Sequence, residues 1–149
     1  MLKTKLIHPD ILEVLGRAGH GSKVLIADGN FPALTKLGPN ATLVNLNLSP
    51  GVVSGTQALE AVVSAIPIES VTLMQYPTTG PRALSEDPPI WPEYKRILQE
   101  AGFDAEFEKL ERFAFYDAAS GPDTALIIHT AEQLRFANIM LTIGVVTKK

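Results

Sequence analysis

An α/β domain layered around a mainly parallel sheet with flanking helices is the fold that this sequence predicts. Three observations lead there. Short apolar runs of strand length alternate with segments whose apolar residues recur at helical spacing. Gly, Pro, Asp and Asn fall between these segments, where the chain must turn. Finally, 149 residues that are 46% hydrophobic and 19% charged suffice for one packed core, so residues 1–149 read as a single domain.

The elements follow in order. Pro9-Asp10 opens a helical pattern of Ile11, Leu12, Val14, Leu15 and Ala18, and Gly19 suits its C-terminal cap. Val24-Leu25-Ile26-Ala27 reads as a buried strand that ends at Asp28, and Asp28-Gly29-Asn30 is turn chemistry. A second strand covers Thr42 to Leu46. Ser54 and Gln57 have capping-box spacing ahead of a helix that continues through Ala58 to Ile66. Ser70 to Tyr76 is a strand, Pro77 to Pro89 a long loop, and Ile90 to Ala101 a helix closed by Gly102. Phe107 to Leu110 reads as a strand. Arg112 to Ala119 fits a short helix, or a strand given its aromatic residues. Thr124 to Ile128 and Ile139 to Val146 complete the sheet, with a polar turn and a short helix expected between them.

Composition narrows the functional classes. A net charge of -3 without any basic run leaves no electrostatic footprint for nucleic acid or an anionic membrane. The absence of cysteine excludes disulfides, thiolate nucleophiles and the usual structural zinc sites. His8, His20 and His129 are not spaced as a helical pair and have no acidic cluster around them, so neither a metal nor another cofactor is expected. The glycine-dense stretch Gly16 to Gly21 follows a helix and precedes a strand, the reverse of a dinucleotide loop. His8, Pro9 and Asp10 interrupt any N-terminal apolar segment, and the expected location is cytoplasmic. The high apolar content suggests surface buried between subunits.

Several groups of residues could carry chemistry. In Gly19-His20-Gly21 the glycines leave space around an imidazole, the side chain best suited to proton exchange near neutral pH. The plain alternative is a histidine favoured by a helix C-terminus. Asp28 stands where open α/β sheets bind ligands, at the carboxyl end of a strand, although it could equally satisfy its own turn. Arg112 and Tyr116 share a helical face at i, i+4 and could hold sugar hydroxyls; alternatively, Arg112 pairs with Glu108. Asn138 offers an amide donor and acceptor just before the last strand, and Glu69 precedes the strand at Ser70.

Taken together, Gly19-His20-Gly21, Ala27-Asp28-Gly29-Asn30-Phe31-Pro32, Arg112-Phe113-Ala114-Phe115-Tyr116, Ala137-Asn138-Ile139 and Gly144-Val145 resemble the ribose pyranase and fucose mutarotase family (RbsD/FucU). The resemblance spans the chain, and Arg112 to Tyr116 with Pro89-Ile90-Trp91 look like its fucose branch. It implies an RbsD-like fold and a cofactor-free isomerase that interconverts anomers, and possible pyranose and furanose forms, of a free monosaccharide such as L-fucose. A non-catalytic sugar-binding protein accessory to uptake is the alternative. By resemblance, His20 matches the proton donor and Asp28 a sugar-binding carboxylate that anchors a hydroxyl or orients His20. Tyr116 would assist proton transfer, and Glu69, Arg112, Tyr116, Phe136 and Asn138 would contact the sugar. Phe136 departs from the tyrosine common in the family, which puts one sugar hydrogen bond in question. The resemblance further implies a ring-shaped homodecamer whose pockets are completed by neighbouring subunits.

Overall fold

The computed structural model describes residues 1–149. It contains a six-stranded sheet and four helices, in the order α1 (Pro9–Arg17), β1 (Lys23–Ala27), β2 (Thr42–Asn45), α2 (Gly55–Val63), β3 (Ile68–Met74), α3 (Ile90–Glu100), β4 (Glu108–Leu110), α4 (Arg112–Ala119), β5 (Thr124–His129) and β6 (Ile139–Ile143). The strands lie in the order β2-β5-β1-β6-β3-β4. β1 pairs in parallel with β5, β5 with β2, and β3 with β4, whereas β6 runs antiparallel to both β1 and β3. The sheet is therefore mainly parallel, with β6 as its reversed strand. The carboxyl ends of the other five strands all meet one edge.

Burial on both faces explains the continuous apolar strands. On one face Val24, Ile26, Val71, Leu73, Leu126, Ile128 and Leu141 pack under α1, α2 and α3 in the larger core. On the other, Leu25, Ala27, Met74, Ile127 and Met140 pack with Phe31, Phe136 and the Phe115 and Ala119 of α4. One helix of eight residues covers this second face, leaving the carboxyl edge beside α4 open.

Helix starts follow their sequence signals. His8 Nδ1 accepts the Ile11 N–H in front of α1, with Pro9 in its first turn. The Ser54–Gln57 capping box is formed at α2. Glu111 accepts the Ala114 N–H at 2.7 Å and starts α4, which settles Arg112 to Ala119 as helix rather than strand. Two local expectations are corrected. Gly21 rather than Gly19 takes the left-handed conformation after α1, with φ 84°. No helix forms between β5 and β6, because the Glu132 carboxylate itself takes the N–H groups of Gln133 and Leu134 and Phe136 turns to φ 56°.

Candidate active site

At the carboxyl edge, five segments converge on a cavity of about 320 Å³ lined by Asp28, Asn30, Phe31, Met74, Arg82, Arg112, Tyr116, Arg135, Phe136 and Asn138. β1 delivers Asp28 one residue beyond its end, at the position from which open α/β sheets contact ligands. Asp28 is 4% exposed; its Oδ1 accepts the Asn30 N–H at 3.0 Å, and the Ala137 and Phe31 N–H groups also favour the charged carboxyl. Gly29 beside it leaves little room for a side chain. Its N–H reaches Glu132 O at 2.8 Å, and a Cβ there would lie 3.1 Å from that same backbone oxygen.

Burial raises the Asp28 pKa from 3.8 to about 6, against the lowering effect of the Asn30, Ala137 and Phe31 N–H groups, with a smaller rise from the nearby Glu132 charge. The folded protein therefore holds this proton more tightly than the unfolded chain. The resulting stabilisation is full below about pH 4 and is lost as pH rises through about 6. Asp28→Asn keeps an oxygen for Asn30 but carries no charge to bury. It should melt close to the parent below pH 4 and gain about 2–3 kcal/mol relative to it above pH 7. Thermal melts of both proteins from pH 3.5 to 8 check this; a gap that narrows as pH rises contradicts it.

Asn138 is 3% exposed, and its Oδ1 accepts the Asp28 N–H at 2.8 Å. Its amide nitrogen has only the Met74 sulfur, at 4.0 Å, as a protein partner and can donate to a ligand. The segment carrying Asn138 is pinned from below by α3: Trp91 Nε1 donates to Phe136 O at 2.9 Å and the Tyr94 hydroxyl to Ala137 O at 2.7 Å. On the opposite wall Arg112 Nε donates to the Tyr116 hydroxyl oxygen at 3.1 Å, leaving the phenolic hydrogen for a ligand. Arg112 does not pair with Glu108, which instead accepts from Thr72 Oγ1 at 3.3 Å. His129 supports the site from outside, its Nε2 lying 3.3 Å from Gly29 O.

Asp28, Arg112, Tyr116, Phe136 and Asn138 are thus brought together. His20 and Glu69 are not. They flank the carboxyl end of β6 at the opposite sheet edge, where His20 Nε2 lies 3.0 and 3.1 Å from the two Glu69 oxygens. Within one chain Asp28 cannot orient His20, because β1 itself, five residues at ~3.3 Å each or about 17 Å, separates them. The His20 and Glu69 side chains are half exposed, at 56% and 52%, and His20 lines an open groove of about 670 Å³. The His20 Nδ1 has no hydrogen-bond partner within the chain. Sequence reasoning missed Arg82, Arg135, Trp91 and Tyr94 as contributors to the pocket. The length of the Pro77–Pro89 loop was the one signal for Arg82.

The sequence matches the model of the RbsD / FucU transport protein family over residues 1–146. The chain belongs to the RbsD/FucU family. Among its relatives, human (Homo sapiens) fucose mutarotase is 31% identical over 148 residues, covering 94% of this chain and 90% of the human protein. FucU from Bifidobacterium longum superposes with a TM-score of 0.80 at 33% identity, covering 96% of this chain and 97% of that one. Fucose mutarotase from Streptococcus pneumoniae, solved in complex with L-fucose, superposes with a TM-score of 0.78 at 28% identity and 95% coverage of both chains. The mainly parallel layered sheet is thus the RbsD/FucU fold.

Proposed function

We propose that this chain is a monosaccharide mutarotase, an isomerase, acting on a free aldose such as L-fucose in the cytoplasm. The observation that carries this reading is the pocket itself. A buried carboxyl, an amide, a guanidinium and a phenol converge on one cavity at the carboxyl edge, in a chain whose relatives include fucose mutarotases. Ring opening removes a proton from the anomeric hydroxyl, delivers one to the ring oxygen and breaks the bond between that oxygen and the anomeric carbon. The open-chain aldehyde then closes on its other face by the reverse transfers, so no electrons or atoms leave the sugar. Asp28 and Asn138 hold hydroxyls, Arg112 fixes the ring, and Tyr116 assists proton transfer.

His20 supplies the principal proton-transfer group from a second copy of the chain, with Glu69 orienting its ring. The separation of the two sheet edges supports this arrangement, as does the half-exposed His20–Glu69 pair, which a neighbour's cavity could receive. The ring-shaped homodecamer implied by the family resemblance satisfies it.

Saturation-transfer NMR on L-fucose and D-ribose, with and without protein, tests the reading. Faster exchange between anomers is expected, and His20→Ala should lower the rate by about 10²–10⁴-fold. Sugar binding without any acceleration would favour an accessory role in uptake, while full activity in His20→Ala would overturn the mechanism.

A further inference from the structure

Three arginines stand around one pocket. Arg82, Arg112 and Arg135 line it, and the Lys36 ammonium sits 5.5 Å above the Tyr116 ring at the same wall. All ion pairs of the chain lie elsewhere: Lys5–Glu60, Arg17–Glu13, His20–Glu69 and Arg96–Glu100. Arg82 and Arg135 make no side-chain hydrogen bond either, and both are exposed at the mouth. The nearby carboxylates are held by other donors rather than by these arginines: Glu111 caps α4, Glu132 accepts three backbone N–H groups, Asp28 accepts the Asn30 N–H on the pocket floor, and Asp87 accepts the Tyr76 hydroxyl. This cationic rim belongs to a chain of net charge -3, so it is a local concentration and not a reflection of composition.

Arg82 and Arg112 also line an adjoining cavity of about 300 Å³, between the Pro77–Pro89 loop and α4, where Glu111, tied to the Ala114 N–H, is the one carboxylate in the lining. Together with Phe136 they are the residues that the two cavities share. The loop is closed at its base by the Tyr76 hydroxyl, which donates to Asp87 at 2.6 Å, and by Leu84 N–H to Pro77 O, so Arg82 is presented by a tied loop. Guanidinium groups recognise carboxylate and phosphate oxygens through paired, charge-assisted hydrogen bonds.

We propose that the pocket favours an aldose bearing an anionic group on its terminal carbon, with Arg82 and Arg135 as the specificity-determining residues. This rests on the mutarotase reading for its chemistry and shifts the preferred substrate away from L-fucose, whose terminal carbon is a methyl group. A carboxylate, as in a uronate, and a phosphate ester present the same recognition chemistry.

Paired sugars separate these cases: D-galactose with D-galacturonate, D-glucose with D-glucuronate, and D-ribose with its 5-phosphate. For each pair, kcat/KM for anomer exchange is measured by saturation-transfer NMR at low salt and in ~0.5 M NaCl. The proposal expects the anionic member to exceed its neutral partner by about tenfold or more in at least one pair, with the ratio shrinking in salt. A uronate pair or the phosphate pair showing the excess identifies the anion. Arg82→Gln and Arg135→Gln should each draw that ratio towards one, and Arg82→Lys should retain part of it.

A neutral preference in every pair overturns the proposal and leaves the mutarotase reading standing. So does a ratio unmoved in both variants, or variants that alter only the assembly mass in light scattering, which would assign the arginines to a subunit contact. Absence of acceleration for every sugar, together with arginine-dependent calorimetric binding of the anionic members, would remove the mutarotase reading and retain the anion site.

Discussion

Refolding inactive His20→Ala protomers together with inactive Asp28→Asn protomers should restore anomer exchange. The two residues lie at opposite edges of one sheet, with the length of β1 between them, so no chain can apply both to one sugar. If each pocket combines Asp28 of one copy with His20 of the next, every pocket in either pure variant lacks one group. In equal random mixtures about one pocket in four draws both intact residues, so about a quarter of the parent rate should return. Each pure variant should remain ~10²-fold or more below the parent, His20→Ala by losing the proton donor and Asp28→Asn by losing the carboxylate that positions the sugar. The measurement is exchange rate against mixing ratio after co-refolding. Recovery should peak at equal proportions, and a flat, inactive profile would show that the two edges never meet.

The second expectation concerns α3, which makes no direct contribution to the cavity lining. Phe136 holds φ 56°, a left-handed conformation that costs a phenylalanine roughly 1–3 kcal/mol. The turn persists because Trp91 and Tyr94 donate to the carbonyls of Phe136 and Ala137 from the buried side. Asn138 follows directly, and its side chain in turn holds the Asp28 backbone. Tyr94→Phe leaves the Ala137 carbonyl without its donor in a buried site, a loss of about 1–3 kcal/mol. Melting should fall by about 3–10 °C. The turn should relax, and kcat/KM for sugar exchange should drop by about tenfold, mainly through KM, as Asn138 and Phe136 lose their position. Trp91→Phe should act in the same direction, because it removes the companion bond. Folded Tyr94→Phe with unchanged KM would mean that the turn is held by packing alone.

The site was legible to different depths. Asp28, Arg112, Tyr116 and Asn138 could be picked out because each sits at a marked local position: a strand end, a helical i, i+4 pair, the residue before the last strand. Trp91 counted only within Pro89-Ile90-Trp91, a likeness to the fucose branch, and Tyr94 carried no signal, since nothing local reveals that their polar atoms meet a turn more than forty residues away. Arg82 and Arg135 carried no local mark; only the fold placed them around one cavity, where neither forms an ion pair.

Local pattern by itself determined the elements. Hydrophobic periodicity, the Ser54–Gln57 capping box and the turn residues act over a few positions, so they mark helices, strands and a mainly parallel sheet without reference to distant chain. Sequence order also put His20 and Asp28 on either side of the same strand. What only the tertiary structure decided was the consequence of that placement. A strand is extended and rigid, so residues close in sequence across it point to opposite edges of the sheet. Meanwhile β6 returns antiparallel and brings Asn138, 110 positions away from Asp28, within hydrogen-bonding distance.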